Sequence, residues 1–207
     1  LAELLIPELA RCSAAGSTNR ISYLVKRSLK IAMLYGLLFG ALIFLTAEEL
    51  CIRLYHQTDV ADSLKWYSLL IPILYCDTIT DAMTKGLGKQ KICVRYNIIT
   101  SALDVLLLFL LLPKYGMKGY YISFLVTHLL NFVLSIRLLL ELVGKMVRMR
   151  TTALCILSAL ISVLAGGYLS PGIPSCCGFA MVFSSLLMLF GVVSKRDFIW
   201  LKGLIKI

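Results

Sequence analysis

Long apolar runs separated by short polar stretches dominate the pattern of hydrophobic and polar positions along the chain. A helix needs about 20 mostly apolar residues to cross a bilayer. Six segments meet that requirement, and we predict a spanning helix in each of them: residues 28–46, 64–84, 92–112, 119–140, 151–169 and 175–193. The pattern therefore predicts an all-α fold, a polytopic membrane helix bundle with six transmembrane helices.

Lysine and arginine are distributed unevenly between these segments. Counted between the centres of successive predicted spans, the stretches contain five, two, four, two, four, none and four of the 21 basic residues. High and low counts alternate, as the positive-inside rule requires for six spans with both termini on the cytoplasmic side. The net charge of +10 does not indicate nucleic-acid binding, because the basic residues lie between the apolar runs and not on one face.

Composition agrees with a bilayer environment. Hydrophobic residues make up 59% of the chain and charged residues 15%, whereas soluble domains average about 45–50% and about 25%. The seven cysteines are scattered, without the spacing of a zinc site or a disulfide framework. We therefore expect no metal site and no cofactor, and free thiols buried among apolar helices.

The N-terminal stretch before the first predicted span is amphipathic. Ile21, Leu24, Val25 and Leu29 recur at helical spacing, and basic residues occupy the remaining positions. This pattern favours a helix that lies along the cytoplasmic headgroups and then turns into the first span, over a solvated basic linker. Four regions follow: a cytoplasmic amphipathic segment (1–27), four helices (28–145), two additional transmembrane helices (146–194) and a cytoplasmic basic tail (195–207).

Carboxylates interrupt the second predicted span. Asp77 and Asp81 share one helical face with Thr80 and Thr84, in the half of the span near the cytoplasm. An ionisable residue inside a membrane is costly and marks a functional site by default, so Asp77 is predicted to face a cavity. Asp81 has two interpretations, because it is able either to line that cavity or to pair with Lys85 one turn later near the surface.

The third and fourth predicted spans carry polar lines as well. Asn97, Thr100, Ser101 and Asp104 share a face of the third span, with Asp104 near mid-depth. The fourth span places Thr127, His128 and Asn131 together. We expect His128 to hydrogen-bond Asp104 across the two helices, either as a structural pair or as part of a proton or cation relay.

These residues form two sets of site candidates. Candidates for cavity lining or ion coupling are Asp77, Asp81, Asp104, His128 and Asn131. Candidates for attracting an anionic headgroup are Lys85, Lys89 and Lys91, although the positive-inside rule alone would also explain these lysines. No motif supports catalysis and the loops are short, so an enzyme is not expected.

Three stretches resemble a known family. They are "LIPELARCSAAGSTNRISYLVKRSLKIAMLYGLLFGALIFL", "DAMTKGLGKQK" and "LLLPKYGMKGYYISFLVTHLLNFVLSIRLL", in the order and at the spacing found in oligosaccharide-lipid flippases. The closest resemblance is to the stage V sporulation protein B group, placed with lipid II flippases in the multidrug/oligosaccharidyl-lipid/polysaccharide exporter superfamily. Asp81 and Thr84 depart from the apolar or Gln positions usual there, as does "YYIS" after Lys118 and Gly119.

The resemblance implies a fold and a function. The six spans would correspond to the C-terminal half of a MATE-like flippase, so the chain is expected to be a fragment that requires an N-terminal lobe. Its function would be to move a lipid-linked oligosaccharide or peptidoglycan precursor across the bacterial cytoplasmic membrane by alternating access, in contact with the sugar-lipid substrate and with membrane lipids. The alternative is a cation- or proton-coupled small-molecule exporter of the same fold, with Asp77, Asp104 and His128 as ion ligands.

Overall fold

The structure, a computed structural model, describes residues 2–56, 60–144, 149–169 and 173–190. Within these residues all regular structure is helical. The seven helices are α1 (Ala2–Ala14), α2 (Thr18–Tyr55), α3 (Ala61–Gly86), α4 (Gln90–Tyr115), α5 (Met117–Val143), α6 (Met149–Leu169) and α7 (Ile173–Leu189). The all-α prediction is confirmed for this part of the chain.

Three helices are long and apolar enough to cross a membrane, judged by length and composition: Thr18–Leu54, Gln90–Tyr115 and Met117–Val143. The chain therefore has the helices of a membrane protein. Helix α3 has 26 residues, but acidic and basic side chains recur along it. The apolar stretches described in full in α6 and α7, Ala153–Ala165 and Cys176–Leu189, are shorter than a span needs. The count of six spans stays a prediction.

Helix α2 differs from the sequence-based expectation at its N-terminal end. It runs without interruption for 38 residues, so the turn that we predicted between the amphipathic stretch and the first span is absent. Leu24, Val25 and Leu29 are buried against the protein. The apolar stripe was read correctly, but neighbouring helices cover it. Its place in the headgroup layer stays a prediction.

The chain forms two compact units. Unit one consists of Leu1–Gly36 and Leu70–Met146, and unit two of Leu37–Leu69 and Val147–Ile207. In unit one, α4 and α5 pack extensively against each other. In unit two the same is true of α6 and α7.

Close backbone approaches hold the helices of unit one together. A Cβ atom on Gly36 of α2 would lie 2.6 Å from the Cα of Pro72 in α3. A Cβ on Gly119 of α5 would lie 2.5 Å from the carbonyl oxygen of Leu111 in α4. Both contacts require glycine, because small residues let helix backbones approach where larger ones would separate them.

Helix α1 packs at the end of unit one where α3 turns into α4. Leu5 and Leu9 are completely buried, and the carbonyl oxygen of Ile6 lies 2.9 Å from where a Cβ of Gly86 would be. Arg20 at the start of α2 donates to Glu8 of α1 at 2.8 Å. The α1 helix and the α3–α4 turn thus lie at the same end of this unit.

Candidate functional site

A stripe of small and polar residues runs along the buried face of α5. Gly119, Ser123, Thr127, Asn131 and Ser135 recur at every fourth position, and all five are buried. Since residues four apart lie on the same helical face, this stripe forms one continuous surface. Small side chains allow α4 to approach, and the hydroxyl and amide groups supply hydrogen bonds in an otherwise apolar interior.

Asp104 of α4 receives two hydrogen bonds from this stripe. Its Oδ1 accepts from Ser123 Oγ at 2.7 Å and from Thr127 Oγ1 at 3.2 Å. Within the described residues, the second oxygen, Oδ2, accepts no hydrogen bond. The prediction that His128 is the hydrogen-bond partner of Asp104 is wrong, because the hydroxyl groups of Ser123 and Thr127 on α5 take that role.

Asp77 of α3 is 8% exposed, and Asn131 holds it. The Asn131 amide nitrogen donates to both carboxylate oxygens at 3.1 Å. His128 belongs to this group too, with its Nδ1 3.8 Å from Asp77 Oδ2 and its ring 4.2 Å from that of Phe124. His128 therefore lies beside the carboxylate of α3, and α5 links the two acidic centres of the unit.

Asp81 lies near the C-terminal end of α3 in a separate polar cluster. Its Oδ2 pairs with Lys85 Nζ at 2.8 Å and lies 3.5 Å from the Asn97 amide nitrogen. Its Oδ1 accepts from the Cys93 thiol at 2.8 Å. Thr84 Oγ1 is 2.7 Å from the Cys93 sulfur. The sequence left two interpretations of Asp81, cavity lining and pairing with Lys85. The structure shows the ion pair with Lys85.

The three candidate lysines have different surroundings. The hydrogen bond from Lys85 to Asp81 raises the pKa of Lys85, which keeps this ammonium charged. Lys89 and Lys91 are exposed at the α3–α4 turn, directly before and inside the start of α4. Two basic side chains are thus open to solvent at this end of unit one, while the third is engaged in the ion pair.

A partly open pocket of about 130 Å³ lies where the polar faces of α4 and α5 meet. Its lining consists of Asn97, Thr100, Ser101, Asp104, Thr127, His128 and Asn131. These are the two polar lines that the sequence predicts for the third and fourth spans. Asp77 and Asp81 are outside this lining and contact it through Asn131 and Asn97.

The lining of this pocket is rich in hydrogen-bond acceptors. It includes the free oxygen of Asp104, and no lysine or arginine belongs to this group of described residues. The Asn131 Oδ1 is buried and has no hydrogen-bond partner in the described part of the chain. Its orientation is determined by Asp77, which requires the amide nitrogen on its own side. Hard cations prefer carboxylate, amide and hydroxyl oxygens, so the arrangement suits a small cation, a protonated amine or water.

The sequence did not predict two residues of the polar network, Ser123 and Cys93. Ser123 provides the shortest hydrogen bond to Asp104, and the four-residue spacing from Gly119 to Ser135 is a signal that would have revealed it. Cys93 was interpreted as a thiol in an apolar environment, but it bonds Asp81. Local sequence around Cys93 gives no sign of that contact, which depends on how α3 and α4 pack.

No cluster of three or more metal-ligating side chains occurs among the residues described above. All seven cysteines are free. No protein-family model, curated protein or solved structure matches this chain. The resemblance to oligosaccharide-lipid flippases therefore stays a prediction.

Proposed function

We propose that this chain is the C-terminal portion of a membrane transporter that moves a lipid-linked oligosaccharide or peptidoglycan precursor across the bacterial cytoplasmic membrane by alternating access. The observation that carries the proposal is the polar pocket between α4 and α5, two helices long and apolar enough to cross a membrane. Transport, and not catalysis, is the role for which these residues are suited.

Helix α4 has the two-sided character that such a role needs. On its outer side Ile98, Val105 and Phe109 are 63%, 68% and 79% exposed, which suits contact with lipid tails. Its other side carries Asn97 and Asp104 into the pocket. A carboxylate inside a membrane is costly unless it faces protein or a water-filled cavity. The Asp104 carboxylate lines a partly open pocket, and this position supports the passage of a hydrophilic group.

The α3–α4 turn supports the lipid-linked substrate in particular. Lys89 and Lys91 are exposed there, and a diphosphate headgroup carries the opposite charge. Substrate attraction would act at this turn, and the pocket would lie further along α4. Alternating access also needs a second lobe, which would be supplied by the full-length chain or by a partner.

A second candidate function is a cation- or proton-coupled exporter of the same fold. The Asp104 oxygen that accepts no hydrogen bond favours it, because a carboxylate oxygen suits a cation better than a phosphate. His128, which belongs to the pocket lining, also places an imidazole beside the Asp77 carboxylate, with its Nδ1 3.8 Å from Asp77 Oδ2. The two functions are compatible if the pocket binds the coupling ion while the headgroup binds elsewhere.

Reconstitution of the full-length protein in vesicles separates the candidates. A fluorescent undecaprenyl-diphosphate sugar is added, and its movement between leaflets is followed with and without a sodium or proton gradient. We expect movement of the sugar-lipid that depends on the protein. Transport of cationic dyes with no movement of the sugar-lipid would favour the exporter, and absence of both would contradict the proposal.

Asp104→Ala tests the pocket within this function. We expect complementation of a flippase-deficient strain by the full-length protein to fall about 10- to 100-fold, the loss that follows removal of a charged hydrogen-bonding partner. Membrane abundance should stay unchanged, because Thr127 also bonds the Ser123 carbonyl oxygen of its own helix. Asp62→Ala, in the first turn of α3, is the matched control and should be silent. Unimpaired growth of the Asp104→Ala strain at normal abundance would remove Asp104 from the site.

A further inference from the structure

Polar side chains connect the pocket between α4 and α5 with the polar cluster at the α3–α4 end of unit one. Cys93 and Asn97 are one helical turn apart on α4. Asn97 lines the pocket, and its amide nitrogen lies 3.5 Å from Asp81. A polar line thus extends from the pocket through Asn97 to Asp81 and Lys85.

Asp81 of α3 contacts polar side chains of both α3 and α4. One carboxylate oxygen accepts from Cys93 of α4, and the other pairs with Lys85 of its own helix. Lys85 belongs to the end of α3, and Cys93 belongs to the first turns of α4. Removing its charge would release the α4 contacts and the lysine together.

This cluster closes the polar line at the protein surface. Cys93 is 1% exposed and Thr84 is completely buried, whereas the Lys85 side chain is 38% exposed. The lysine therefore forms the outer edge of the cluster, and the thiol lies behind it. A cation that follows this line from the pocket meets Asp81 where Lys85 and Cys93 already engage its two carboxylate oxygens.

We propose that Asp81, Lys85 and Cys93 form a gate at the α3–α4 end of the pocket. The inference rests on the second candidate function, cation-coupled transport, because it assigns this gate to the passage of a cation between the pocket and the surface. In the structure Asp81 contacts Lys85 and Cys93 at the same time. A cation arriving from either side would compete with Lys85 for Asp81, and its own charge would replace the ammonium there.

The chemistry of the gate suits repeated opening. A partly exposed lysine–carboxylate pair is weak, since water solvates both ions when they separate. The thiol is a weak hydrogen-bond donor, so releasing it costs less than releasing an amide or a hydroxyl group. The pair at Asp77 and Asn131 is different, because both residues are buried and the Asn131 amide engages both carboxylate oxygens.

The native cysteines allow a direct test. The chain, in nanodiscs of bacterial lipid, is treated with a small cationic methanethiosulfonate, and labelling of each cysteine is quantified by peptide mass spectrometry. Exposed Cys177 reports that the reagent is active, and buried Cys76 reports unfolding. In the wild-type protein Cys93 should react slowly.

Two variants open the proposed gate. Asp81→Asn should raise the Cys93 labelling rate about tenfold with Cys76 unchanged, in proportion to the hydrogen bonds lost. Lys85→Met should raise it about threefold, because Asp81 keeps its bond to Cys93. The matched control is Glu49→Gln, which removes an acid paired with Arg53 at the same i, i+4 spacing and at 2.5 Å. It should leave Cys93 unchanged.

An unchanged Cys93 rate in both gate variants would overturn the inference. If Asp81→Asn raises Cys76 labelling as well, that variant has unfolded. The Cys93 labelling rate of Lys85→Met then tests the gate. A rise confined to Cys93 supports the gate, and no rise overturns it. Labelling needs no transport, so the gate is judged separately from the proposed function. The Asp104→Ala variant should leave Cys93 labelling at the wild-type rate.

Discussion

Polar side chains are present in the interior of both units, but they bond in different ways. In unit one, carboxylates of α3 and α4 receive hydrogen bonds from other helices, as Asp77 does from Asn131 and Asp104 from Ser123. In unit two, Ser158 and Ser162 of α6 are buried and donate to carbonyl oxygens of their own helix. Only the first kind of bond ties one helix to another.

The apolar contacts of unit two fit this difference. Phe179 and Phe183, one turn apart on α7, stack with ring centroids 5.3 Å apart and are buried. Arg150 is the one charged residue within the described bounds of α6 and α7, and it lies in the first turn of α6. We infer that apolar packing contributes to the contact between α6 and α7, whereas unit one adds a polar network that restricts which helix positions are allowed.

The largest predicted loss of stability comes from separating helices in unit one. Gly36→Leu places a side chain where the Pro72 backbone lies 2.6 Å from the Cβ position. We expect the free energy of unfolding to fall by about 3 kcal/mol or more, the upper range of overpacking. Denaturation in mixed micelles measures this loss. The control is Ala102→Leu on the exposed side of α4, and a Gly36→Leu protein as stable as that control would contradict the close approach.

Breaking the Asp77–Asn131 contact should have the next largest effect. Asn131→Ala leaves a buried carboxylate without its amide donor, and Asp77→Ala leaves a buried amide without its acceptor. Each change should cost about 1–3 kcal/mol of unfolding free energy. The double variant should lose less than the sum of the two, because no unpaired polar group is left. Additive losses would show that the two side chains do not interact.

The smallest predicted effect compares a serine hydrogen bond between helices in unit one with a serine hydrogen bond within a helix in unit two. Ser123→Ala removes a bond between helices and should cost about 1 kcal/mol of unfolding free energy. Ser162→Ala, the matched change in unit two, removes a bond within one helix and should cost less than about 0.5 kcal/mol. Equal losses for the two variants would mean that the different bonding has no energetic consequence.

Much of the candidate pocket could be predicted from the sequence. The 3.6-residue period puts Asn97, Thr100, Ser101 and Asp104 on one face, and the same argument groups Thr127, His128 and Asn131. Both sets line the pocket. The partner of Asp104 was harder to predict, because the period groups residues on one face of a helix but does not show which of them meets a neighbouring helix. Thr127 and His128 are consecutive and point about 100° apart around the α5 axis, so the rotation of α5 against α4 determines which of them reaches Asp104.

Composition and periodicity by themselves determined that this chain is helical and that it contains helices suited to a membrane, because both properties follow from the local order of apolar and polar residues. They also determined which polar residues share a helix face. Tertiary structure decided that α2 continues without a turn, that Asn131 and His128 lie with Asp77, and that Cys93 bonds Asp81. The physical reason is that these contacts join residues distant in sequence, and the packing of small residues such as Gly36 and Gly119 sets how closely their helices approach.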